Sequence, residues 1–319
     1  MTDPSTASLG LGVAAGLAAA FFSAISYLVS RQHGMQERAL GRQGVALRLL
    51  TLAHLFMAAV CIPITVALWP AAPPGLPDFI LPLAASVGFY LLGQSTLFAA
   101  LKRVEASRIA PLLGLKIVML AAIVSFVLGH VLDARQWLAV ALSVVAALLL
   151  QAGGGGVPAR AFGLVLSSCL CFAISDLWIV QLIDGLQAGA VASGITISRM
   201  HAGGLAMALT YGLCGVVFTP LAIGLWPHTR ADWQASAQYA AAWLLSMVGL
   251  YCCFGLVGVV FGNILQSTRG VMSVALGAAL AHLGWHELEQ RVDRSTLLRR
   301  LTAALLMTSA IALYVIDLS

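Results

Sequence analysis

The stretch from Ala106 to His130 reads ASRIAPLLGLKIVMLAAIVSFVLGH, and it decides the fold. It is long and apolar enough to cross a bilayer as a helix, because about 20 residues span the hydrocarbon core. Lys116 nevertheless lies close to its middle, shortly after Pro111 and Gly114. A lysine at that depth costs roughly 3 kcal/mol on insertion scales unless another group pairs with it or solvates it. The stretch therefore predicts a helix that lines a polar cavity and is housed by other helices.

The composition indicates an integral membrane protein. Hydrophobic residues make up 61% of the 319 residues and charged residues only 9%, with a mean hydropathy of +0.96, whereas soluble domains carry roughly 25% charged residues. No basic region precedes the first apolar run, so we expect a retained helix rather than a signal peptide. All six cysteines lie in apolar runs without a ligand set at metal spacing, which predicts packing and neither a metal nor a cofactor.

Apolar stretches separated by glycine- and proline-rich breakers predict ten membrane-spanning helices. The breakers are residues 70–77 (PAAPPGLP), the glycine run 153–156 and the stretch 185–194. The predicted spans are 9–30, 45–69, 77–101, 106–130, 135–152, 161–184, 196–226, 236–261, 264–286 and 298–316.

The two halves of the chain resemble each other in four short matches, whose offsets never decrease along the sequence. Five helices are an odd number, so a second copy must be inverted relative to the first. We therefore predict an all-α integral membrane fold of ten transmembrane helices in two inverted five-helix repeats, 1–152 and 161–319, joined by a Gly-rich linker, 153–160. Inverted repeats are a common plan of secondary transporters, with the site at the repeat interface. The matches pair Ala24–Leu28 with Ala173–Leu177, Pro63–Pro70 with Pro220–Pro227, Val87–Tyr90 with Val248–Tyr251, and Ala106–Arg108 with Ser267–Arg269.

The distribution of basic residues predicts the orientation. Thirteen lysines and arginines fall in loops 1–2, 3–4, 5–6, 7–8 and 9–10, and three fall on the other side. Since cytoplasmic loops carry the excess of positive charge, we expect a multi-pass protein of the cell (inner or plasma) membrane with both termini on the non-cytoplasmic side. The pI near 9.1 reflects these loop residues and does not indicate nucleic-acid binding.

Several stretches follow one another in a recognisable order: Ala100-Leu101 and Ala106-Ser107-Arg108, then Leu128-Gly129-His130, then Gln136-Trp137-Leu138. This pattern resembles the ten-helix EamA-type branch of the drug/metabolite transporter superfamily. The resemblance implies a secondary active transporter, an exporter or exchanger of small organic metabolites, with a central cavity lined by both halves. It implies no enzyme activity.

The chain departs from the family pattern at three points. Lys116-Ile117 stands where the family usually has a proline, and His130 replaces its usual glutamate. A lysine in helix 4 is similar to the sugar-phosphate translocator branch, which has basic residues in helices 4 and 9. That branch has a Lys-Arg doublet where this chain has Arg269 alone. Relatives also commonly have both termini inside, opposite to the orientation that the basic residues predict here.

Three charged residues inside spans are the main candidates for substrate binding. Lys116 is either a structural cation or a cavity-lining one, and we favour the cavity because its stem reaches neither headgroup layer from mid-helix. Asp176 is a partner for Lys116, a proton-coupling carboxylate or a helix-end residue. Arg269 lies about one turn into the ninth span and either snorkels or binds an anion.

Six uncharged polar residues complete the predicted substrate-binding set. Each is individually better explained by hydrogen bonding between helices, but together they suit an amino-acid-like or carboxylate-bearing solute. A proton or counter-substrate would then drive transport, and a homodimer is left open. The six residues are Tyr27, Tyr90, Gln94, Tyr251, Asn263 and Gln266.

No motif favours catalysis or a channel. The sequence has no Walker loop and no HExxH zinc site, and it has no repeated selectivity loop of the kind that a pore requires. Two alternatives stay open on the same fold: a membrane-embedded regulatory or binding subunit, and a lipid-head-group flippase.

Overall fold

A computed structural model gives the fold and describes residues 6–39, 41, 44–71, 74–101, 110–129, 132–151, 158–272, 275–276 and 294–315. Every regular element within these ranges is helical. A 3₁₀ segment (Ala110–Leu115) precedes α4, and a π-helical turn (Ile123–Val127) follows it. The α-helices are α1 (Thr6–Ala39), α2 (Val45–Leu68), α3 (Leu76–Leu101), α4 (Lys116–Ala122), α5 (Ala134–Gln151), α6 (Ala159–Ala192), α7 (Arg199–Gly224), α8 (Arg230–Val257), α9 (Val259–Ser267) and α10 (Arg294–Val315).

Six helices of the described part of the chain are long and apolar enough to cross a membrane: α1, α2, α3, α6, α7 and α8. Two shorter apolar stretches, Leu112–Val127 and Ala134–Ala146, accompany them. The all-helical membrane fold predicted from the sequence is thus confirmed. The number of crossings and the inversion of the second half stay predictions.

Two predicted boundaries were wrong. The glycines between 185 and 194 were expected to break the chain after span six, but α6 continues to Ala192. These glycines serve packing instead, because a Cβ on Gly185 would overlap the Asp78 carbonyl oxygen of α3. The break between spans eight and nine was expected after residue 261, but it lies at Gly258, whose φ of 83° is one that glycine adopts without steric cost.

The part of the stretch 106–130 that the structure describes is not one uniform α-helix. It starts as a 3₁₀ segment with a proline at its second position, where the missing N–H leaves no hydrogen bond unmade. It becomes α-helical at Lys116 and widens into a π-helical turn from Ile123. Such turns are frequent at functional sites. The predictions that involve residues 106–109, His130, the linker residues 153–157 and the end of the ninth span lie outside the described residues.

Helices of the first half pack against helices of the second. α3 lies along α6, α1 along α8, α2 along α7, and α5 along α10. Small residues permit the close approach: a Cβ on Gly249 of α8 would come within 2.6 Å of the Ala15 carbonyl oxygen of α1. Serine hydroxyls add hydrogen bonds between helices, since Ser246 donates to the Ala19 carbonyl at 2.7 Å. Both devices are typical of helix packing in membranes.

Contacts between helix ends define two ends of the bundle. At one end the start of α8 meets the second half of α1 and the start of α2, through Asp232, His33 and Arg48. At the other end the His201 ring of α7 lies 2.7 Å from the Leu68 carbonyl oxygen at the end of α2. We call these the α8-start end and the α7-start end.

Two glycines of α6 offer a matched test of this packing. Gly185→Ala should lower stability by about 1–3 kcal/mol, as overpacking does, because its methyl group meets the α3 backbone. Gly163→Ala has open space around it and should be neutral or stabilising by up to about 1 kcal/mol, the helix preference of alanine. Thermal unfolding in one detergent measures both. Equal effects of the two substitutions would contradict the role given to Gly185.

Candidate functional site

A buried ion pair joins α4 to α6. The Lys116 Nζ atom lies 2.8 Å from Oδ2 of Asp176, and the two side chains are 12% and 9% exposed. Lys116 is the first residue of α4, directly after the 3₁₀ segment, and Asp176 lies midway along the 34 residues of α6. The pairing expected between these residues is therefore present. Their role in substrate binding stays a prediction.

Asn263 of α9 is the third member of this cluster. Its Nδ2 donates to the same Asp176 oxygen at 2.8 Å and to the Val259 carbonyl at 2.9 Å. Its Oδ1 is buried and has no hydrogen-bond partner among the described residues. An unsatisfied buried acceptor is uncommon in native proteins. The cluster therefore holds one acceptor to which a donor group of a bound solute can bond.

The electrostatics of the cluster follow from its burial. A lone lysine or aspartate at this depth is expensive, and the attraction within the pair offsets much of the cost of removing both charges from water. Asn263 adds a charge-assisted hydrogen bond, roughly twice as strong as a neutral one. The pair has no net charge, so an arriving anion must compete with Asp176 for Lys116.

Arg269 supplies a second cation beside the cluster. Its guanidinium carbon lies 5.6 Å from the centroid of the Tyr27 ring, a cation–π contact worth about 0.5–2 kcal/mol. Among the described residues no carboxylate lies within ion-pair distance of Arg269. In sequence, Arg269 follows Asn263 of the cluster by six residues.

Four buried rings form a second cluster, which we call the ring cluster: His54, Tyr90, Tyr211 and Tyr251. The His54 Nε2 lies 3.0 Å from the Tyr90 hydroxyl, and its Nδ1 lies 2.8 Å from the Leu50 carbonyl oxygen. Nδ1 therefore donates to the carbonyl, and Nε2 accepts from the tyrosine. The Tyr211 ring lies 6.0 Å from Tyr90 and 6.5 Å from Tyr251 between centroids.

We call Lys116, Asp176 and Asn263, with Arg269 beside them, the charged cluster. Trp243 connects the ring cluster with the Arg269 side of this charged cluster. Its indole Nε1 donates to the Tyr211 hydroxyl at 3.1 Å, and its ring lies 6.3 Å from Tyr27, which Arg269 covers. Ring contacts therefore link Arg269, through Tyr27 and Trp243, with the ring cluster.

The predicted site residues thus fall into groups. Lys116, Asp176 and Asn263 come together, and Arg269 meets Tyr27. Tyr90 and Tyr251 belong to the ring cluster, and Gln94 is buried on α3 four residues after Tyr90. Gln266 is buried on α9, three residues after Asn263. The nine residues were predicted as one substrate-binding set, and a separate cluster of rings was not predicted.

Sequence reasoning missed His54, Tyr211 and Trp243. A signal was present, since His54 and Tyr211 are 157 residues apart, the same offset that separates Pro63 from Pro220. Applied to every polar residue in the second and seventh spans, that offset identifies the pair.

Two other kinds of feature, a cavity and a metal site, give no candidate site among the described residues. A cavity of about 220 Å³ is lined by Phe21, Met272, Ala275 and Leu276, but these side chains provide no polar group to orient a solute. Within the described ranges, no three His, Cys, Asp or Glu side chains come together as a metal site.

The long apolar helices and the charges buried between them define a multi-pass helical membrane protein. Its residues 10–151 match the model of the EamA-like transporter family. The resemblance to this family noted in the sequence is therefore confirmed over these residues, which include Lys116.

Comparisons with whole proteins add information on the fold alone. No curated protein matches the chain. A solved structure described as "Crystal structure of protein" is similar, with a TM-score of 0.62, 16% sequence identity and coverage of 95% of each chain. At that identity the likeness extends to the architecture and not to a substrate.

The ion pair predicts a pattern of stabilities. Lys116→Gln leaves the Asp176 carboxylate without its cation and should cost about 3 kcal/mol, the lower end for a broken buried pair, because the carboxylate can take up a proton instead. The double variant Lys116→Gln/Asp176→Asn removes both charges and should recover most of that loss. Thermal unfolding of the purified variants measures this. A double variant as unstable as the sum of both single variants would contradict the pairing.

Proposed function

We propose that the protein is a secondary active transporter, an exporter or exchanger, of a small organic metabolite with an anionic group. The observation that carries the proposal is the buried Lys116–Asp176–Asn263 cluster, with Arg269 beside it, in a chain whose residues 10–151 match a transporter family. Ionisable residues held inside a membrane bundle mark substrate or ion pathways. Transport, not catalysis, is the activity that this arrangement favours.

The packing of the helices supports the proposed inverted repeat. If helices one to five correspond to six to ten, the pair α3–α6 corresponds to α8–α1. The pairs α2–α7 and α5–α10 each correspond to themselves. Both relations agree with the observed packing. An axis within the membrane plane would relate the halves, and ten crossings with alternating access to one central site would follow.

The ring cluster supports the same relation at the level of side chains. Tyr90 and Tyr251 are 161 residues apart, and His54 and Tyr211 are 157 apart, as the sequence matches require. The ring distance from His54 to Tyr90 is 5.8 Å, and the corresponding distance from Tyr211 to Tyr251 is 6.5 Å. A two-fold exchange of the halves converts one pair into the other.

The charged cluster suggests a coupling mechanism. The carboxylate of a solute would bind Lys116 or Arg269, and a donor group of the solute would bond to the free Oδ1 of Asn263. Asp176, released from Lys116, would then take up a proton or a cation. Transport would thereby be coupled to a gradient or to a counter-substrate, and the empty site would restore the ion pair.

Transport by reconstituted protein tests the proposal, with a solute found by screening amino acids, organic acids, phosphates and organic cations for thermal stabilisation. Lys116→Gln should abolish transport, and Lys116→Arg should keep part of it because the charge remains but its shape differs. Asp176→Asn should uncouple transport from pH and spare exchange.

The folded double variant Lys116→Gln/Asp176→Asn is the control, and it should not transport. Normal transport by Lys116→Gln would exclude the anion-binding role. If liposomes that contain the wild-type protein transport no solute, a regulatory subunit is favoured. If they move lipid alone, a flippase is favoured.

The proposed orientation places both termini on the non-cytoplasmic side of the cell membrane. Alkaline phosphatase fused after Ser319 should then be active, because it folds only outside the cytoplasm, and a green fluorescent reporter at the same place should stay dark. Fluorescence with an inactive phosphatase would reverse the orientation without affecting the fold.

A further inference from the structure

A second buried polar group lies at the α8-start end. Asp232 stands in the first turn of α8 and is 1% exposed. Its Oδ1 is 3.4 Å from Nε2 of His33 on α1, and its Oδ2 is 4.0 Å from NH1 of Arg48 on α2. The His33 side chain is 4% exposed, and its Nε2 meets the carboxylate at ion-pair distance without forming a hydrogen bond to a described residue.

Part of this arrangement belongs to the helix itself. The Thr229 backbone N–H and hydroxyl both donate to the Asp232 Oδ2 at 2.9 Å, and the Asp232 N–H donates back to the threonine hydroxyl at 3.2 Å. This is a capping box, and it requires no other helix. A capping carboxylate is ordinarily near water, so its burial under α1 and α2 needs a separate explanation.

The first turn of α3 provides an internal comparison. Asp78 is the third residue of α3, as Asp232 is the third residue of α8. Asp78 is exposed, whereas Asp232 is covered by residues of the other half of the chain. At the α7-start end an ion pair, Asp184 with Arg199, is exposed and joins the consecutive helices α6 and α7.

We propose that His33, Arg48 and Asp232 form a latch that holds α1 and α2 against α8 and closes the bundle at the α8-start end. The latch joins the two halves of the chain, so these halves cannot separate there while it is formed. The contacts are polar and long, and water can replace them when the helices part. This inference rests on the proposed function, because an opening at this end would connect the charged cluster with one side of the membrane.

Hydrogen exchange of the purified protein in nanodiscs tests the latch without any solute. His33→Gln keeps the capping box and the Arg48 contact but removes the contact between α1 and α8, so exchange should rise about tenfold in both residues 28–36 and 229–236, as local opening becomes more frequent. Thr229→Ala removes the cap but keeps His33 and Arg48 in place, so its effect should be confined to residues 229–236. Asp184→Asn, at the opposite end, should change neither segment.

A rise confined to α8 in His33→Gln, or an equal rise in Asp184→Asn, would overturn the latch. The double variant His33→Gln/Arg48→Gln removes both contacts of Asp232 with the first half of the chain and gives a second measurement. Exchange in both segments should exceed that of His33→Gln alone. No further rise counts against the latch. Because no transport is measured, these outcomes are separate from those of the Lys116 variants.

Discussion

The contact between Lys116 and Asp176 constrains the arrangement of the surrounding helices. Each charge alone is expensive inside an apolar bundle, and only a short contact between them offsets the cost. The 2.8 Å contact therefore fixes the start of α4 against the middle of α6. Asn263 brings α9 to the same carboxylate. Three segments that are distant in sequence thus meet because one lysine needs a partner.

Small residues bring the helices close enough for such contacts to form. Gly185 and Gly249 each face a backbone carbonyl oxygen of a neighbouring helix, Asp78 for the first and Ala15 for the second. Lipid chains are as apolar as leucine side chains, so burial of apolar surface contributes little to helix association in a bilayer. Backbone proximity and hydrogen bonds such as that of Ser246 then supply the attraction.

The sequence predicted the long apolar helices well. It predicted poorly the features that depend on contacts between helices. Hydropathy placed α2 within one residue, because length and apolar character decide a crossing. The same rule treated the glycines of 185–194 as a break, since glycine lowers helix propensity, and only the facing α3 backbone explains why the helix continues. The cost of a lone buried lysine made Asp176 one candidate partner for Lys116, among other roles. The aromatic partners of His54 could not be predicted in this way, because an uncharged buried ring does not require a charged partner.

The two halves that the proposed repeat would relate differ in their polar contacts, both at the charged cluster and at the proposed latch. Tyr27 and Asp176 occupy matching positions of the two halves, yet a cation covers a ring at one and pairs with a carboxylate at the other. The ends differ in the same way, since Asp232 is buried between halves and Asp78 is exposed. Two halves with equal contacts would give similar energy to the two conformations that open to opposite sides of the membrane. Unequal polar contacts would favour one conformation. A solute can reverse that preference only by binding the two conformations with different affinity.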